Sequence, residues 1–298
     1  MKKKYENKKE IRRIRWLIFG VALSLLASDI IYQAVVSFMS SPPHDYMRTI
    51  TVEIAAFLLP FLIYGLSRSE KISAGELRLN GFGAEKAVYV ALLGITGQFM
   101  MMLLNLPLEY AFQKFLKIGS ETSVYTPQSI STIWGGIFAI GILPAFLEEF
   151  CIRGLLFSVY NRISTKAAFW FSVIIFALLH GKPEEMPGYI FMGAMSAFIL
   201  LRCNSLYASI VYHITSNLTA LIFSLTVMKI IPWLWFLFAF AGVLFAFLFI
   251  RFYAKFPPVG IVKGKREKKL FWGSVFSLPV ILSIGIVILR YWLLNIRA

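Results

Sequence analysis

Charged residues are scarce in this 298-residue sequence, which argues against an ordinary soluble domain. Asp, Glu, Lys and Arg make up 15% of the chain, whereas they make up about 25% of soluble globular proteins. Hydrophobic residues make up 58% and occur in runs of roughly 18 to 25, long enough for helices to cross a bilayer. The composition therefore predicts an integral membrane protein.

Cysteine and histidine are also rare. The two cysteines, Cys151 and Cys203, have no paired spacing, which argues against a disulfide framework and against a zinc finger. Of the three histidines, His44 lies in a proline-rich loop, whereas His180 and His213 lie in apolar segments. These two histidines are therefore candidates for a buried site.

Acidic residues are outnumbered two to one, with 15 Asp and Glu against 30 Lys and Arg. A net charge of +15 can indicate nucleic-acid binding. Here, however, most basic residues lie in the loops between apolar segments. Such loops face the cytoplasm and are attracted to anionic lipid. We therefore expect membrane lipid as a partner and no nucleic acid.

Nine apolar segments predict an all-α fold, a polytopic membrane helix bundle with about eight or nine transmembrane helices. The segments cover residues 16–39, 49–66, 86–107, 131–158, 167–181, 187–201, 205–228, 231–251 and 271–294. The first is longer than the 7–15 apolar residues of a signal peptide and precedes no Ala-x-Ala site, so we interpret it as an uncleaved span.

The loop charges predict a cytoplasmic N-terminus. That orientation places one set of loops in the cytoplasm, namely 1–15, 67–85, 159–166, 202–204 and 252–270. This set contains most of the loop Lys and Arg, as the positive-inside rule expects.

The segment Glu148-Glu149-Phe150-Cys151-Ile152-Arg153 lies within an apolar helix. Charges at membrane depth are costly unless they are paired or solvated, so they usually mark a site. Glu149 and Arg153 are four residues apart with the acid first, which favours an ion pair on one helix face. Glu148 has Ile152 at this spacing and no local cation. We predict that Glu149 and Arg153 form a structural pair and that Glu148 is the general base.

Two further motifs lie in later apolar segments, Phe176-x-x-x-His180 and His213-x-x-x-Asn217. At 1.5 Å per residue, Glu148, both histidines and Asn217 lie about 14 to 21 Å deep in a ~30 Å hydrocarbon core. We therefore expect these four side chains to converge. Other polar residues of the apolar segments are interpreted as structural, namely Asp29, Gln33, Glu53 and Gln98.

The three motifs, in this order on separate membrane helices, resemble the CPBP family. It comprises the type II CAAX prenyl endopeptidases and bacterial relatives linked to bacteriocin processing and self-immunity. The resemblance covers about 130–220, which we interpret as a protease core between N-terminal spans (1–129) and C-terminal spans with a basic loop (221–298). It implies intramembrane peptide-bond hydrolysis, with water activated by Glu148 and His180 and the oxyanion stabilised by His213 and Asn217.

The resemblance leaves metal dependence open. Glu148, His180 and His213 could supply a zinc set with an open water position. We favour metal-free water because no His-Glu-x-x-His occurs. The absence of Gly-x-Gly-Asp, and of a Gly-x-Ser-x-Gly beside a histidine, argues against the other intramembrane protease classes. Ser216 lies three residues after His213 without a glycine turn, so serine catalysis is disfavoured.

Two alternatives belong to other classes. A non-catalytic immunity or regulatory scaffold protein would keep the motif for folding. A transporter would use membrane Glu and His to relay protons, although the charge alternation shows no inverted repeat. The expected substrate is a hydrophobic or lipidated peptide. The Lys-rich, Asn-containing composition favours a bacterial membrane, and hence a hydrophobic peptide, pheromone precursor or signal-peptide remnant over a prenylated protein.

Overall fold

The structure, a computed structural model, describes residues 2–40, 45–68, 73–117, 130–230, 234–264 and 267–295. In these ranges the chain forms helices and contains no strand, which confirms the predicted all-α fold. The α-helices are α1 (Lys2–Ser37), α2 (Asp45–Leu66), α3 (Ala84–Ala111), α4 (Ile130–Gly136), α5 (Leu143–Glu149), α6 (Ser158–Asn161), α7 (Thr165–His180), α8 (Met186–Cys203), α9 (Leu206–Ile230), α10 (Leu234–Lys255), α11 (Glu267–Val275) and α12 (Leu278–Asn295). His44 lies outside the described residues.

Three π-helical segments interrupt this order. They are Phe112–Leu116 after α3, Ile137–Ile142 between α4 and α5, and Phe150–Phe157 between α5 and α6. The last two make Thr132–Asn161 one continuous helical run of 30 residues. This run carries the Glu-Glu-x-x-x-Arg motif.

Seven helices of the described residues are long and apolar enough to cross a membrane. The bent pair α11–α12, with an angle of 47° at its break, would make an eighth. The fifth predicted span, 167–181, corresponds to α7, whose 16 residues are fewer than the roughly 20 that a span needs. The region 1–15, predicted as a loop, is helical from Lys2. The described residues thus form a polytopic helical membrane protein with seven or eight candidate spans.

The chain forms two compact units that are built from non-consecutive segments. Unit 1 contains 1–79, 147–181 and 260–298. In it, α1 packs against α2 and α12, and α7 packs against α11 and the π segment Phe150–Phe157. Hydrogen bonds also join helices of this unit. The guanidinium of Arg15 on α1 donates to the hydroxyl of Tyr160 on α6 and to the hydroxyl of Ser274 on α11.

Unit 2 contains 80–146 and 182–259. Its central helix α3 packs against α8, α9 and α10, and α9 also packs against the π segment Ile137–Ile142. Aromatic side chains of three helices meet in its interior, where Phe99 lies 5.7 Å from both Phe223 and Phe238 between ring centroids. The sequence-based division into N-terminal spans (1–129), protease core (130–220) and C-terminal spans (221–298) describes where the motifs lie along the chain. It stays a prediction.

Candidate active site

Helix α7 ends on His180, and local sequence fixes both of its ends. The Ser164 side chain accepts a hydrogen bond from the Ala167 N–H at 3.3 Å, an N-cap. Gly181 follows His180 with φ of 67°, a left-handed conformation that glycine adopts without strain and that stops an α-helix. His180 is therefore presented from the last turn of α7.

Unit 1 brings the His180 side chain to Glu148. Nε2 of His180 lies 3.6 Å from Oε2 of Glu148, and that oxygen is buried without a hydrogen-bond partner. Nδ1 of His180 lies 2.8 Å from the carbonyl oxygen of Phe176. A carbonyl only accepts hydrogen bonds, so Nδ1 carries a proton and Nε2 is the ring nitrogen that faces Glu148.

Glu149, the neighbour of Glu148 in the chain, pairs with Arg153. Nη1 of Arg153 lies 3.1 Å from Oε1 of Glu149, and both side chains are fully buried. The Arg153 guanidinium lies over the Phe176 ring, 4.3 Å from its centroid. Phe176 in turn contacts His180, with ring centroids 4.6 Å apart. The Phe of Phe-x-x-x-His therefore links the ion pair to the histidine.

The π-helical segment Phe150–Phe157 begins directly after the two glutamates. Hydrogen bonds in a π-helix reach five residues back, and such segments are frequent at functional sites. The sequence predicts an α-helix here, and the π segment is not visible in it because no residue type marks a π turn.

Glu53 belongs to the surroundings of the site, although it was interpreted from sequence as structural. It lies within electrostatic range of Glu148, and its Oε2 is buried without a hydrogen-bond partner. Asp29 lies in the same region of unit 1 and accepts from Arg48 at 2.8 Å and from Arg290 at 2.7 Å. Two arginines thus satisfy Asp29, whereas Glu53 and Glu148 keep an unpaired oxygen. The position of a charged residue within an apolar segment is the signal in the sequence that could have identified Glu53 as part of these surroundings.

His213 and Asn217 lie on α9 in unit 2, where they share one helix face. His213 is buried. Nδ2 of Asn217 donates to the carbonyl oxygen of Ile140 at 3.2 Å. Ile140 lies in the π segment Ile137–Ile142, and residue 144, which would donate to this carbonyl in an α-helix, is a proline without an N–H. The Asn217 amide therefore supplies a donor that residue 144 does not.

Two glycines allow α9 to approach its neighbours closely. A Cβ on Gly141 would lie 2.5 Å from a methyl carbon of Leu218, and a Cβ on Gly94 would lie 2.7 Å from the carbonyl oxygen of Tyr212. Small residues at such contacts let membrane helices pack backbone to backbone. The contact at Gly141 is what brings Asn217 within reach of Ile140.

Ser216, the neighbour of Asn217, is buried and donates to Oε1 of Gln98 at 2.7 Å. An amide oxygen cannot take a proton as a general base does, so this hydroxyl is placed for helix packing between α9 and α3. The arrangement agrees with the interpretation of Gln98 as structural.

No three His, Cys, Asp or Glu side chains among the described residues are placed to hold a metal ion together. Whether zinc takes part stays a prediction. Glu148 and His180 place a carboxylate and an imidazole in one small space in unit 1, whereas α9 in unit 2 carries the imidazole of His213 and the amide of Asn217.

Comparison with protein families identifies the motif-bearing segment. Residues 130–219 match the model of the Rce1-like family, described as type II CAAX prenyl endopeptidase Rce1-like. The match confirms the resemblance predicted from the three motifs and supports, at the level of the family, an intramembrane protease of the CAAX type. Searches of curated proteins and of solved structures each gave no match.

Proposed function

We propose that this membrane protein, whose residues 130–219 match the model of the Rce1-like family, is an intramembrane endopeptidase. It hydrolyses peptide bonds of hydrophobic, lipidated or membrane-bound peptides. The observation that carries the proposal is the placement of Nε2 of His180 3.6 Å from the unpaired Oε2 of Glu148. The substrate and the roles of individual residues are part of the proposal.

The separation of these two atoms suits a shared water molecule. It exceeds a direct hydrogen bond, whereas one water can lie about 2.8 Å from both atoms. In the proposed step, the water oxygen bonds to the carbonyl carbon of the substrate as Glu148 takes its proton. The proton then passes to the peptide nitrogen as the C–N bond breaks, which releases a carboxylic acid and an amine.

The oxyanion that forms in this step needs hydrogen-bond donors. By the motif resemblance, we assign this role to His213 and Asn217. The Asn217 amide has two N–H groups, and one of them donates to Ile140. The contact fixes the plane of the amide, so the other N–H keeps a defined direction. In other proteases one such donor contributes about 3–4 kcal/mol.

The test is cleavage of a panel of quenched fluorescent hydrophobic and prenylated peptides by purified protein, beside Glu148→Gln. This change replaces one oxygen by NH2 at nearly constant volume, so the fold persists while the base is lost. We expect kcat to fall at least about a hundredfold. Glu109→Gln, the same change on α3 in unit 2, is the matched control and keeps activity.

Other outcomes assign the chemistry differently. Full cleavage by Glu148→Gln would move the base elsewhere, with Glu149 the next candidate. Loss of wild-type cleavage after chelation, restored by Zn²⁺, would support the metal-dependent alternative. A Glu148→Gln protein that retains its biological output at normal abundance would support the non-catalytic immunity or regulatory scaffold.

A further inference from the structure

A groove of about 620 Å³ runs along the contact between α1 and α2 in unit 1. Its α1 wall includes Arg12, Trp16, Gly20 and Leu23, whose spacing of three or four residues places them on one helix face. From Arg12 to Leu23 this wall is about 17 Å long. We call it the α1–α2 groove, and neither the motifs nor the proposed peptidase chemistry uses it.

The deeper part of the groove is apolar and open to the surroundings. Its α2 wall includes Leu59, Pro60 and Ile63, and Leu59 and Ile63 are more than half exposed. Gly20 and Pro60 bring the two helices close at its floor, because a Cβ on Gly20 would lie 3.3 Å from Cβ of Pro60. A narrow apolar channel of this length suits an extended hydrocarbon chain rather than a folded partner.

The opposite end of the groove is basic. Arg12 and Arg13 line it beside the hydroxyls of Tyr64 and Ser67, and Arg12 is exposed. Glu10 pairs there with Arg13 at 2.6 Å and with Arg68 at 3.2 Å. Two guanidinium groups thus share one carboxylate and Arg12 adds a third positive charge, which leaves an excess of positive charge at the mouth.

We infer that the α1–α2 groove binds an anionic phospholipid. The phosphate lies at Arg12 and Arg13, where guanidinium groups match phosphate oxygens in charge and geometry. One acyl chain lies along Gly20, Leu23 and Ile63 in the apolar channel. The basic end marks the membrane interface, and Trp16 lies one turn deeper, as is common for aromatic residues at this level.

The experiment measures the first phospholipid bound to the full-length protein in detergent, by native mass spectrometry with increasing lipid. The probes are phosphatidylglycerol, phosphatidylcholine with the same acyl chains, and glycerol phosphate. We expect phosphatidylglycerol to bind most tightly and glycerol phosphate to bind most weakly. Arg12→Ala should weaken phosphatidylglycerol binding about fivefold, and Leu23→Trp, which fills the channel, by at least as much. Arg251→Ala, an exposed arginine of α10, is the charge-matched control and leaves the affinity unchanged.

Three results would overturn the inference. Equal affinity for the two phospholipids would remove the role of the arginines. Unchanged binding by Leu23→Trp would place the lipid outside the groove. Displacement of the bound lipid by a hydrophobic peptide from wild type, but not from Leu23→Trp, would make the groove a peptide site. The side chains of Arg12 and Leu23 are exposed. An unchanged elution volume in size-exclusion chromatography checks that each variant is folded.

Discussion

At the scale of single residues, Arg153 is held from two sides, by the Glu149 carboxylate and by the Phe176 ring. The ion pair followed from sequence because four residues make about one helical turn. The contact with Phe176 did not, because 23 residues separate the two side chains and only packing brings them together. The same limit applies to Glu148 and His180. Their similar depth in the membrane suggested that they are close, but only the tertiary structure places them side by side.

Arg153→Ala should therefore destabilise the protein rather than only slow a reaction. It leaves the Glu149 carboxylate buried without its cation, and breaking a buried pair in this way costs about 3–5 kcal/mol. We expect lower abundance and a lower Tm of the purified protein. The double variant Glu149→Gln with Arg153→Met contains no buried charge at this point and should recover part of the loss. A normal yield and Tm for Arg153→Ala would contradict the structural role of the pair.

At the scale of elements, the run Thr132–Asn161 combines α-helical and π-helical segments around the glutamates. Hydropathy and the Glu-Glu-x-x-x-Arg spacing predicted a helix here, and hydropathy predicted α7 as the apolar segment 167–181. The π segments were not predictable, because their hydrogen bonds reflect how the run packs and not which residues it contains. Pro144 was visible in the sequence, but the sequence did not show that the Asn217 amide would donate to the carbonyl of Ile140.

Pro144→Ala tests whether the Ile140 carbonyl positions Asn217 because residue 144 has no N–H. The new N–H at residue 144 can donate to the Ile140 carbonyl and compete with the Asn217 amide. If Asn217 stabilises the oxyanion, we expect kcat for peptide cleavage to fall about tenfold with little change in KM. This decrease is smaller than the one expected from complete loss of one oxyanion donor. The Tm should not fall, because alanine is the better helix former.

Pro107→Ala is the matched control, since it makes the same change inside α3 of the same unit. It should leave kcat unchanged. Equal kcat for wild type and Pro144→Ala would mean that the contact between Asn217 and Ile140 serves packing alone.

At the scale of the whole molecule, apolar runs and loop charges predicted the membrane class and most span positions. Each of the nine apolar segments corresponds to a helix or a bent helix pair, but α7 is too short to span by itself and the pair α11–α12 is bent, so seven or eight candidate spans remain among the described residues. The two compact units could not be predicted, because they depend on which distant segments pack together. The cytoplasmic N-terminus and the bacterial origin stay predictions.

Thiol labelling can test the predicted orientation. In intact cells, a membrane-impermeant maleimide should label Ser40→Cys, and it should label Lys8→Cys only after the membrane is permeabilised. The two positions are exposed; Lys8 lies at the start of the first candidate span, Asn7–Ser37, and Ser40 lies just after its end. The native cysteines, Cys151 and Cys203, are buried and provide a low background. The reverse labelling pattern would place the N-terminus outside.

The ion pair between Arg290 and Asp29 joins residues 261 positions apart. At about 5–20 residues per second of synthesis, Asp29 emerges roughly 13 to 50 seconds before Arg290 exists. During that interval α1 must enter the bilayer with one of its two arginine partners still untranslated. Arg15 likewise precedes Ser274, to which it donates, by 259 residues. Unit 1 therefore cannot mature from its N-terminus onward, and its completion is a late event in which α11 and α12 dock onto helices that were inserted first.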